Sequence, residues 1–406
     1  MLSSIAKTLR PFVYIAAALA VSAAPISAYG SQPVIPNRIV EPIDNHVRVG
    51  LKGYVSPLAN AMTDRGPAPA SMTLERLHLV LRRSASQETA LRQLIAGLNQ
   101  PGSPSYHQWL TPAEFGKEFG PSSQDVATIE AWLNAQGFSV QGLLPGRQVI
   151  DFSGNVSQMQ KAFGVQIHRY QIDGNIHYAT ATNPQIPAAL APVVAGFSSL
   201  NNFRPVSYAH VLGKATYDPK THAVQPDWTY GSTSSLVMTP GDFGVEYDVP
   251  DSLLNPSYSG TNYDGAGQTI AIINESNINI GMVNQFRTLF GLPANPPTVI
   301  IDGNDPGIDG INNPDGPNYA SDETYIDVEW AGAIAPMAHI DLVIAADTSL
   351  ESGLFLALEH AIYSDVAPVM SMSFGLCEAT LASTNEYMDH LMEQAAAEST
   401  IPGGLP

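Results

Sequence analysis

Residues 321–336 read SDETYIDVEWAGAIAP, which is the most informative stretch of the chain. Ser321 is a suitable N-cap, acidic residues occupy the first turn, and Pro336 disfavours helical geometry in the residue before it, so one helix is predicted. Glu323 and Asp327 are four residues apart and therefore lie on one face of that helix. Two like charges at this spacing cost about 0.2–0.5 kcal/mol even in water. On an otherwise apolar helix the cost should be larger, so we expect the pair to have a compensating partner or a use.

Apolar strands alternate with helices on both sides of this stretch. The strands are predicted at residues 268–273, 340–345 and 368–373, and the helices at 281–290, 350–363 and 384–397. Buried strands that alternate with helices are typical of a parallel sheet covered on both faces. Three strands are few for a compact sheet of this kind, and a further strand is expected at residues 399–404.

Residues 74–200 follow a different pattern. The elements predicted there are, in order, a strand at 77–81, helices at 87–98 and 122–136, strands near 138–142 and 149–152, a helix at 156–163 and a strand at 166–170. Strand, helix, strand, strand, helix, strand is the order of a ferredoxin-like split βαβ unit, here with an extra helical insertion. The first half of the chain is therefore predicted to be an α+β domain.

The composition excludes some classes of partner. The 406 residues contain 18 Lys and Arg against 37 Asp and Glu, a formal net charge of −19. Nucleic-acid binding needs clustered basic side chains, so we expect no nucleic acid as a partner. An acidic excess is compatible with work at low pH, where protonation relieves self-repulsion. The single cysteine, Cys377, excludes an intrachain disulfide framework and a metal site built on cysteines.

The N-terminus has the layout of a secretory signal. Lys7 and Arg10 precede an apolar run at residues 11–24, and small residues follow up to Ala28. The run is too short for a membrane span, which needs about 20 apolar residues. We therefore expect residues 1–28 to be a signal peptide, residues 29–73 to be an N-terminal extension, and the protein to be secreted and extracellular without a membrane partner.

Two irregular segments have no regular periodicity. Residues 204–238 are broken by prolines and are predicted to be a linker with the maturation site, because such loops tolerate proteolytic nicking. Residues 302–310 are rich in oxygen ligands, but Pro306 falls on a ligand position of an EF-hand loop. A solvated turn cluster explains this loop better than calcium does, so no metal ligand is predicted.

A resemblance to a known family is carried by two groups of motifs. SYHQWLTPAEF at residues 105–115, FGPS at 119–122 and the Trp132-Leu133 pair resemble the activation prodomain of the sedolisin, or kumamolisin-like, serine-carboxyl peptidases. TP at 239–240 through YDVP at 247–250, followed by GAGQTIAI, resembles the start of the family's catalytic domain. The resemblance implies a ferredoxin-like α+β prodomain at residues 74–203. It also implies that residues 239–406 are the N-terminal, incomplete part of a subtilisin-like parallel α/β peptidase domain.

The same resemblance assigns roles to individual residues. In the family's catalytic helix a Glu and an Asp are four apart and an Ala-Pro follows, so Glu323 is implied to be the general base toward a serine and Asp327 to orient it. SMSFG at 371–375 is similar to the strand that lines the substrate cleft, which implies Ser373, Phe374 and Gly375 in substrate binding. A carboxylate base moves serine activation to acid pH, and two adjacent carboxylates should titrate as a coupled pair.

The resemblance also implies groups that this sequence does not contain. The family's Gly-Thr-Ser-x-x-x-Pro motif, which carries the nucleophile, and its oxyanion aspartate are expected after the third strand, where the sequence ends. Calcium is expected for the family, with a site outside this chain. We therefore expect a serine-type endopeptidase zymogen for protein or peptide substrates, inhibited by its own prodomain, and expect this chain alone to be truncated and inactive. The alternative is a catalytically inactive product whose prodomain binds or inhibits an intact relative.

Overall fold

The computed structural model describes residues 35–172, 174–207, 209, 215–218, 220, 223–226, 238–309, 320–381, 383–398 and 401–403. Two compact units are distinguished, Met1–Pro36 and Asn37–Pro406, and every element described below belongs to the second. The signal peptide predicted at residues 1–28 lies outside the described residues. Within the described ranges, no helix is both long and apolar enough to cross a membrane.

The first half of the chain mixes short strands with four helices. In chain order the elements are β1 (Arg48–Gly50), β2 (Asp64–Pro67), β3 (Thr73–Leu81), α1 (Ala85–Leu98), α2 (Pro112–Phe119), α3 (Ser123–Ala135), β4 (Ser139–Leu143), β5 (Val149–Asn155), α4 (Val156–Phe163), β6 (Ile167–Ile172), β7 (Asn175–Thr180), β8 (Gln185–Pro187) and β9 (Val194–Phe197). Ser84, Thr111 and Asn155 close capping boxes at the starts of α1, α2 and α4, which explains where these helices begin.

Strands β4, β5, β3 and β9 form a four-stranded sheet in that order, with antiparallel neighbours throughout. Leu79 of β3 pairs with Ile150 of β5 on one side and with Phe197 of β9 on the other, and all three are buried. Helices α3 and α4 pack into the same core through Trp132 and Phe163. The first strand of the unit thus lies between the third and the fourth, so the predicted ferredoxin-like α+β fold is confirmed.

One predicted strand has a different place. The strand predicted at residues 166–170 is present as β6, but it pairs with β2 and β7 in a separate three-stranded sheet. The fourth position of the ferredoxin-like sheet belongs to β9 instead. β6 and β7 follow each other closely in the chain, so their pairing as a hairpin closes only a short loop. β9 reads Val-Ala-Gly-Phe, and a short strand that contains glycine gives little strand pattern to recognise.

The second half begins with the linker and continues into alternating strands and helices. In chain order the elements are β10 (Val206–Ser207), β11 (Ala215–Asp218), β12 (Ala223–Pro226), α5 (Pro240–Glu246), β13 (Thr269–Asn274), α6 (Ile280–Leu289), β14 (Thr298–Ile301), α7 (Ala320–Ile334), β15 (His339–Ile344), α8 (Gly353–Tyr363), β16 (Val369–Ser371), β17 (Phe374–Gly375), α9 (Glu378–Leu381), α10 (Thr384–Ala397) and β18 (Ile401–Gly403). Thr239 and Asp242 form the capping box that starts α5. The boundaries proposed for the sequence regions stay predictions.

Strands β14, β15, β13, β16 and β18 form a five-stranded sheet in that order, and every neighbouring pair is parallel. Successive side chains point to opposite faces. Ile272 and Leu342 pack in one core with residues of α6 and α7, whereas Ile273 and Val343 pack in another with α8 and α10. The predicted parallel sheet covered on both faces is therefore confirmed, with β14 as an additional strand and β18 where a further strand was expected.

The two halves share an apolar core. Val80 of β3 and Val149 of β5 are buried in the same cluster as Leu354 of α8 and Leu391 of α10. The ferredoxin-like unit therefore covers the side of the parallel sheet that carries α8 and α10.

Polar groups are also buried between the two halves. His78 Nδ1 lies 2.6 Å from Glu359 Oε2, and each of these side chains is at most 2% exposed. Ser198 Oγ donates a hydrogen bond of 2.5 Å to Glu351 Oε2, and both residues are buried. Buried acidic groups of the second half are thus partnered by residues of the first.

Candidate active site

Helix α7 begins two residues earlier than an N-cap at Ser321 predicts. Its first residue is Ala320, so Ser321 lies inside the helix and is not its N-cap. Asp309 supplies the capping contacts instead: its Oδ2 accepts from the Ala320 N–H at 3.1 Å, and its carbonyl oxygen accepts from Ser321 Oγ at 2.7 Å. The capping residue is eleven positions away in sequence, which a pattern of neighbouring residues does not reveal. The helix ends at Ile334, two residues before Pro336, as the proline predicts.

Glu323 and Asp327 lie near each other on α7 and have separate partners. Glu323 is 7% exposed, and its Oε2 accepts a hydrogen bond of 2.6 Å from Ser207 Oγ of the linker. Asp327 Oδ1 accepts from Ser373 Oγ at 2.8 Å, and its Oδ2 accepts from Asn274 Nδ2 at 3.2 Å. Helix α7 therefore carries the pair, while the linker, the end of β13 and the segment between β16 and β17 supply the hydrogen bonds that hold it.

Asn274 is a site residue that the sequence did not indicate. It is fully buried at the last position of β13, and its Oδ1 accepts from Thr324 Oγ1 at 2.5 Å and from the Glu275 N–H at 2.9 Å. Both contacts fix the amide so that its Nδ2 points to Asp327. The carboxyl ends of parallel strands are the usual place for functional side chains, and this rule could have identified Asn274.

Burial changes the acidity of Asp327. Burial raises the pKa of Asp327 to about 7; the hydrogen bond from Ser373 lowers this pKa, while the charge of Glu323 and a hydrogen bond with it raise it. Asp327 is therefore protonated in acid and can donate a hydrogen bond to Glu323. The coupled titration of the two carboxyl groups, expected from their spacing, stays a prediction. Burial alone also raises the pKa of Glu329, farther along α7, to about 7.

Ser373, Phe374 and Gly375 lie beside this pair. Ser373 binds Asp327 through its side chain, whereas Phe374 is buried in the core and pairs through its backbone. Phe374 is opposite Ser207, and Gly375 is opposite Val206, in the antiparallel pair of β17 and β10. The edge predicted to bind substrate is thus occupied by the linker.

No metal site accompanies these residues. Throughout the part of the chain that the structure describes, no group of three or more His, Cys, Asp and Glu side chains is arranged to hold a metal ion. Asp302 of the oxygen-rich loop instead pairs with Arg76, Nη2 to Oδ2, at 2.5 Å.

Known proteins are similar to this chain along most of its length. A family model described as the pro-kumamolisin activation domain matches residues 60–203. Sedolisin from Pseudomonas sp. (strain 101) is 25% identical over 391 residues, which cover 95% of this chain and 61% of that protein. Kumamolisin from Bacillus sp. (strain MN-32) is 26% identical over 332 residues, which cover 80% of this chain and 55% of that protein. The chain thus spans less than two thirds of the length of these relatives.

A solved structure is also similar in sequence. It is Pseudomonas sedolisin, a serine-carboxyl proteinase, complexed with two molecules of pseudo-iodotyrostatin. The identity is 21%, the alignment covers 40% of this chain and 42% of that chain, and the TM-score of 0.29 is too low to support an argument. The similarity to known peptidases therefore rests on the activation-domain match and on the long sequence alignments. Residues 60–203 thus match the pro-kumamolisin activation domain, and the long alignments show that the chain as a whole is similar to peptidases of the sedolisin family.

Proposed function

We propose that this chain is the precursor of a secreted, acid-acting serine-type endopeptidase in which Glu323 is the general base. The observation that supports this most strongly is the 2.6 Å hydrogen bond from Ser207 Oγ to Glu323 Oε2. A hydroxyl within about 2.6–3.2 Å of a base that a third group orients is the arrangement that activates a nucleophile. Asp327 is the third group here. Ser207 belongs to the linker, so in the precursor it blocks the place where a nucleophile would meet the base.

The two carboxyl groups have different tasks in this proposal. Ionised Glu323 accepts the proton of the attacking hydroxyl, and protonated Asp327 holds Glu323 in place by donating a hydrogen bond to it. A pKa of about 7 keeps Asp327 protonated throughout the acid range. A carboxylate in place of histidine as the base favours serine activation at acid over neutral pH.

The prodomain and linker are the proposed intramolecular inhibitor. β10 of the linker pairs with β17, which is the backbone edge that an extended protein or peptide substrate would use. Arg204, two residues before β10, also forms an ion pair of 2.5 Å with Asp347. Activity would therefore require release of residues 204–207, and cleavage within 204–238 would make that release permanent.

The nucleophile and the calcium site are assigned to no residue of this chain. The sequence contains no Gly-Thr-Ser-x-x-x-Pro motif, so we propose that these 406 residues alone do not turn over substrate. Calcium binding, which the resemblance implies, stays a prediction without a site among the described residues. The second candidate, a non-catalytic product whose prodomain binds an intact relative, is favoured by the apolar core that Val80 and Val149 form with α8 and α10.

Hydrolysis of an acid-denatured protein at about pH 3–5 tests the proposal. The assay compares the 406-residue chain with the protein isolated from cells that carry the gene, each with and without Glu323→Ala. We expect no turnover by the 406 residues. The isolated protein should be active and should lose about 10²–10⁴-fold with Glu323→Ala, because that is the usual contribution of a general base. Activity that survives the substitution contradicts the base assignment, and turnover by the 406 residues contradicts the statement about the serine.

A further inference from the structure

The docked linker shows which way side chains of an extended chain point in the cleft. β10 consists of Val206 and Ser207, and neighbouring side chains of a strand lie on opposite sides of it. Ser207 reaches Glu323, Pro205 is buried, and Val206 is 50% exposed. The side chain two positions before the one that contacts the base therefore enters the protein.

Pro205 lines one side of a cavity of about 210 Å³. The side chains around it are mainly apolar and come from α8, from the segment before β17 and from α10: Leu354, Phe355, Leu358, Met372, Met388 and Met392. Glu378 is the charged lining residue and is exposed at the rim, and none of the described lining residues is basic. The remaining volume shows that a proline ring does not fill the space.

We propose that this cavity is a specificity pocket for a bulky apolar side chain of the protein substrate, such as leucine, methionine or phenylalanine. The side chain belongs to the substrate residue two positions before the one that lies against Glu323. The inference rests on the proposed function, since it takes the linker as a guide to the path of the substrate. An apolar side chain larger than proline would bury more apolar area in this cavity.

The lining also predicts which side chains are rejected. An aspartate at this position would lose its hydration without gaining a cationic partner, and a buried unpaired carboxylate is strongly unfavourable. Three methionine side chains line the cavity. Methionine adapts to different apolar shapes, so the cavity should accept several bulky apolar side chains. The pocket therefore discriminates by polarity and size and does not demand one residue.

The first test uses the full chain and its own linker. Hydrogen exchange is measured by mass spectrometry in the fragment that covers residues 204–209, for the unchanged chain and for Pro205→Leu, Pro205→Asp and Val206→Asp. We expect Pro205→Leu to keep the protection and Pro205→Asp to increase exchange at least about tenfold. Val206→Asp places the same charge on a half-exposed residue and should change exchange by less than about threefold. Equal exchange in the Pro205→Asp and Val206→Asp chains would overturn the proposal.

The second test asks whether a free peptide uses the pocket. The Pro205→Asp chain, whose linker should be released, is titrated with fluorescein-labelled peptides of residues 202–209 that carry Leu, Pro, Lys or Asp at position 205. Fluorescence anisotropy should show the Leu peptide binding at least about tenfold more tightly than the Asp peptide, with Pro between them. A Lys peptide that binds as tightly as Leu, or equal affinities for Leu and Asp, would contradict an apolar pocket.

The outcome is independent of the catalytic assignment. Glu323→Ala removes the proposed base and one contact with Ser207, but it leaves the cavity unchanged. The Leu peptide should therefore keep its advantage over the Asp peptide in a chain that carries both Pro205→Asp and Glu323→Ala. If hydrolysis by the isolated protein is unaffected by Glu323→Ala while this advantage persists, the base assignment fails and the pocket stands.

Discussion

At Asp327, hydrogen bonds and a neighbouring charge act on one pKa in opposite directions. Burial raises the pKa, the Ser373 and Asn274 hydrogen bonds lower it, and Glu323 raises it further. The balance leaves a carboxyl that titrates near pH 7, far above an ordinary aspartate. A proton is thus available next to Glu323 across the whole acid range, which is the property that the proposed mechanism uses.

Replacement of Asn274 by alanine tests this balance. Asn274→Ala removes a donor that favours the ionised carboxylate, so the pKa of Asp327 should rise further. The loss of hydrogen bonds that Asn274 makes with Asp327 and Thr324 should also lower the free energy of unfolding by about 1–3 kcal/mol. Carbon-13 NMR of the carboxyl groups and urea unfolding measure the two effects. An unchanged or lower pKa of Asp327 would show that Asn274 does not act on this carboxylate.

At the scale of the element, α7 depends on a cap from outside its own sequence. Asp309 accepts from the Ala320 N–H and from Ser321 Oγ. Asp309→Ala should cost about 0.5–2 kcal/mol in the free energy of unfolding, as removal of a capping side chain usually does. Asp309→Asn keeps an acceptor oxygen and is the matched control, with most of the stability retained. Urea unfolding at pH 7 measures the free energy of unfolding of both variants. Equal losses of stability in the two would mean that the charge of Asp309, and not its capping hydrogen bond, stabilises the helix.

The sequence predicted those parts of the site that depend on spacing within one element. Helical periodicity was sufficient to bring Glu323 and Asp327 to one face of α7. The positions of Asn274 and Ser373 beside Asp327 were harder to predict, because the two residues lie 53 and 46 positions from it in sequence. Only the order of the strands in the sheet brings them to it. The family motif implied Ser373 as a substrate-binding residue and not as a partner of Asp327, and Asn274 was not indicated at all. The exchange of β6 and β9 has the same cause, since pairing between distant strands leaves little local pattern.

At the scale of the whole molecule, burial favours the protonated form of several carboxyl groups. Burial raises the pKa values of Glu275, Glu351 and Glu398 to about 8, and those of Asp327 and Glu329 to about 7. A raised pKa means that the folded chain holds the proton more tightly than the unfolded chain. Folding stability from these groups is therefore complete below the unfolded value of about 4.5 for Glu, and it is lost as pH rises toward 8.

The chain should consequently be more stable in mild acid than at neutral pH. We expect the free energy of unfolding to fall by roughly 3 kcal/mol or more between pH 5 and pH 8, since a pKa difference of one is worth about 1.4 kcal/mol. Below about pH 4 the trend should reverse, because hydrogen bonds with His360 and Arg76 hold the pKa of Asp302 below its usual range in spite of burial. Urea unfolding at a series of pH values measures this profile. Stability that stays constant or rises from pH 5 to pH 8 would contradict the burial of protonated acids.

One substitution separates this effect from general charge repulsion. Glu351→Gln keeps an acceptor for Ser198 but cannot ionise, so it should flatten the decline between pH 5 and pH 8. Glu378→Gln removes one negative charge from an exposed position and should leave the slope almost unchanged. Equal flattening by both variants would assign the decline to net charge.

The titration of Asp327 in the full chain is the most direct measurement of the central claim, that Glu323 and Asp327 act as one acid–base pair. Carbon-13 NMR of labelled aspartate carboxyl groups, with Asp327→Asn to identify the signal, gives the apparent pKa without any need for catalysis. The account predicts a pKa of about 7, and a lower pKa in Glu323→Gln because the charge of Glu323 is removed. An Asp327 pKa near the ordinary aspartate value of about 3.9 would contradict the claim that the two residues act as one acid–base pair. An Asp327 pKa that does not change in Glu323→Gln would contradict it as well.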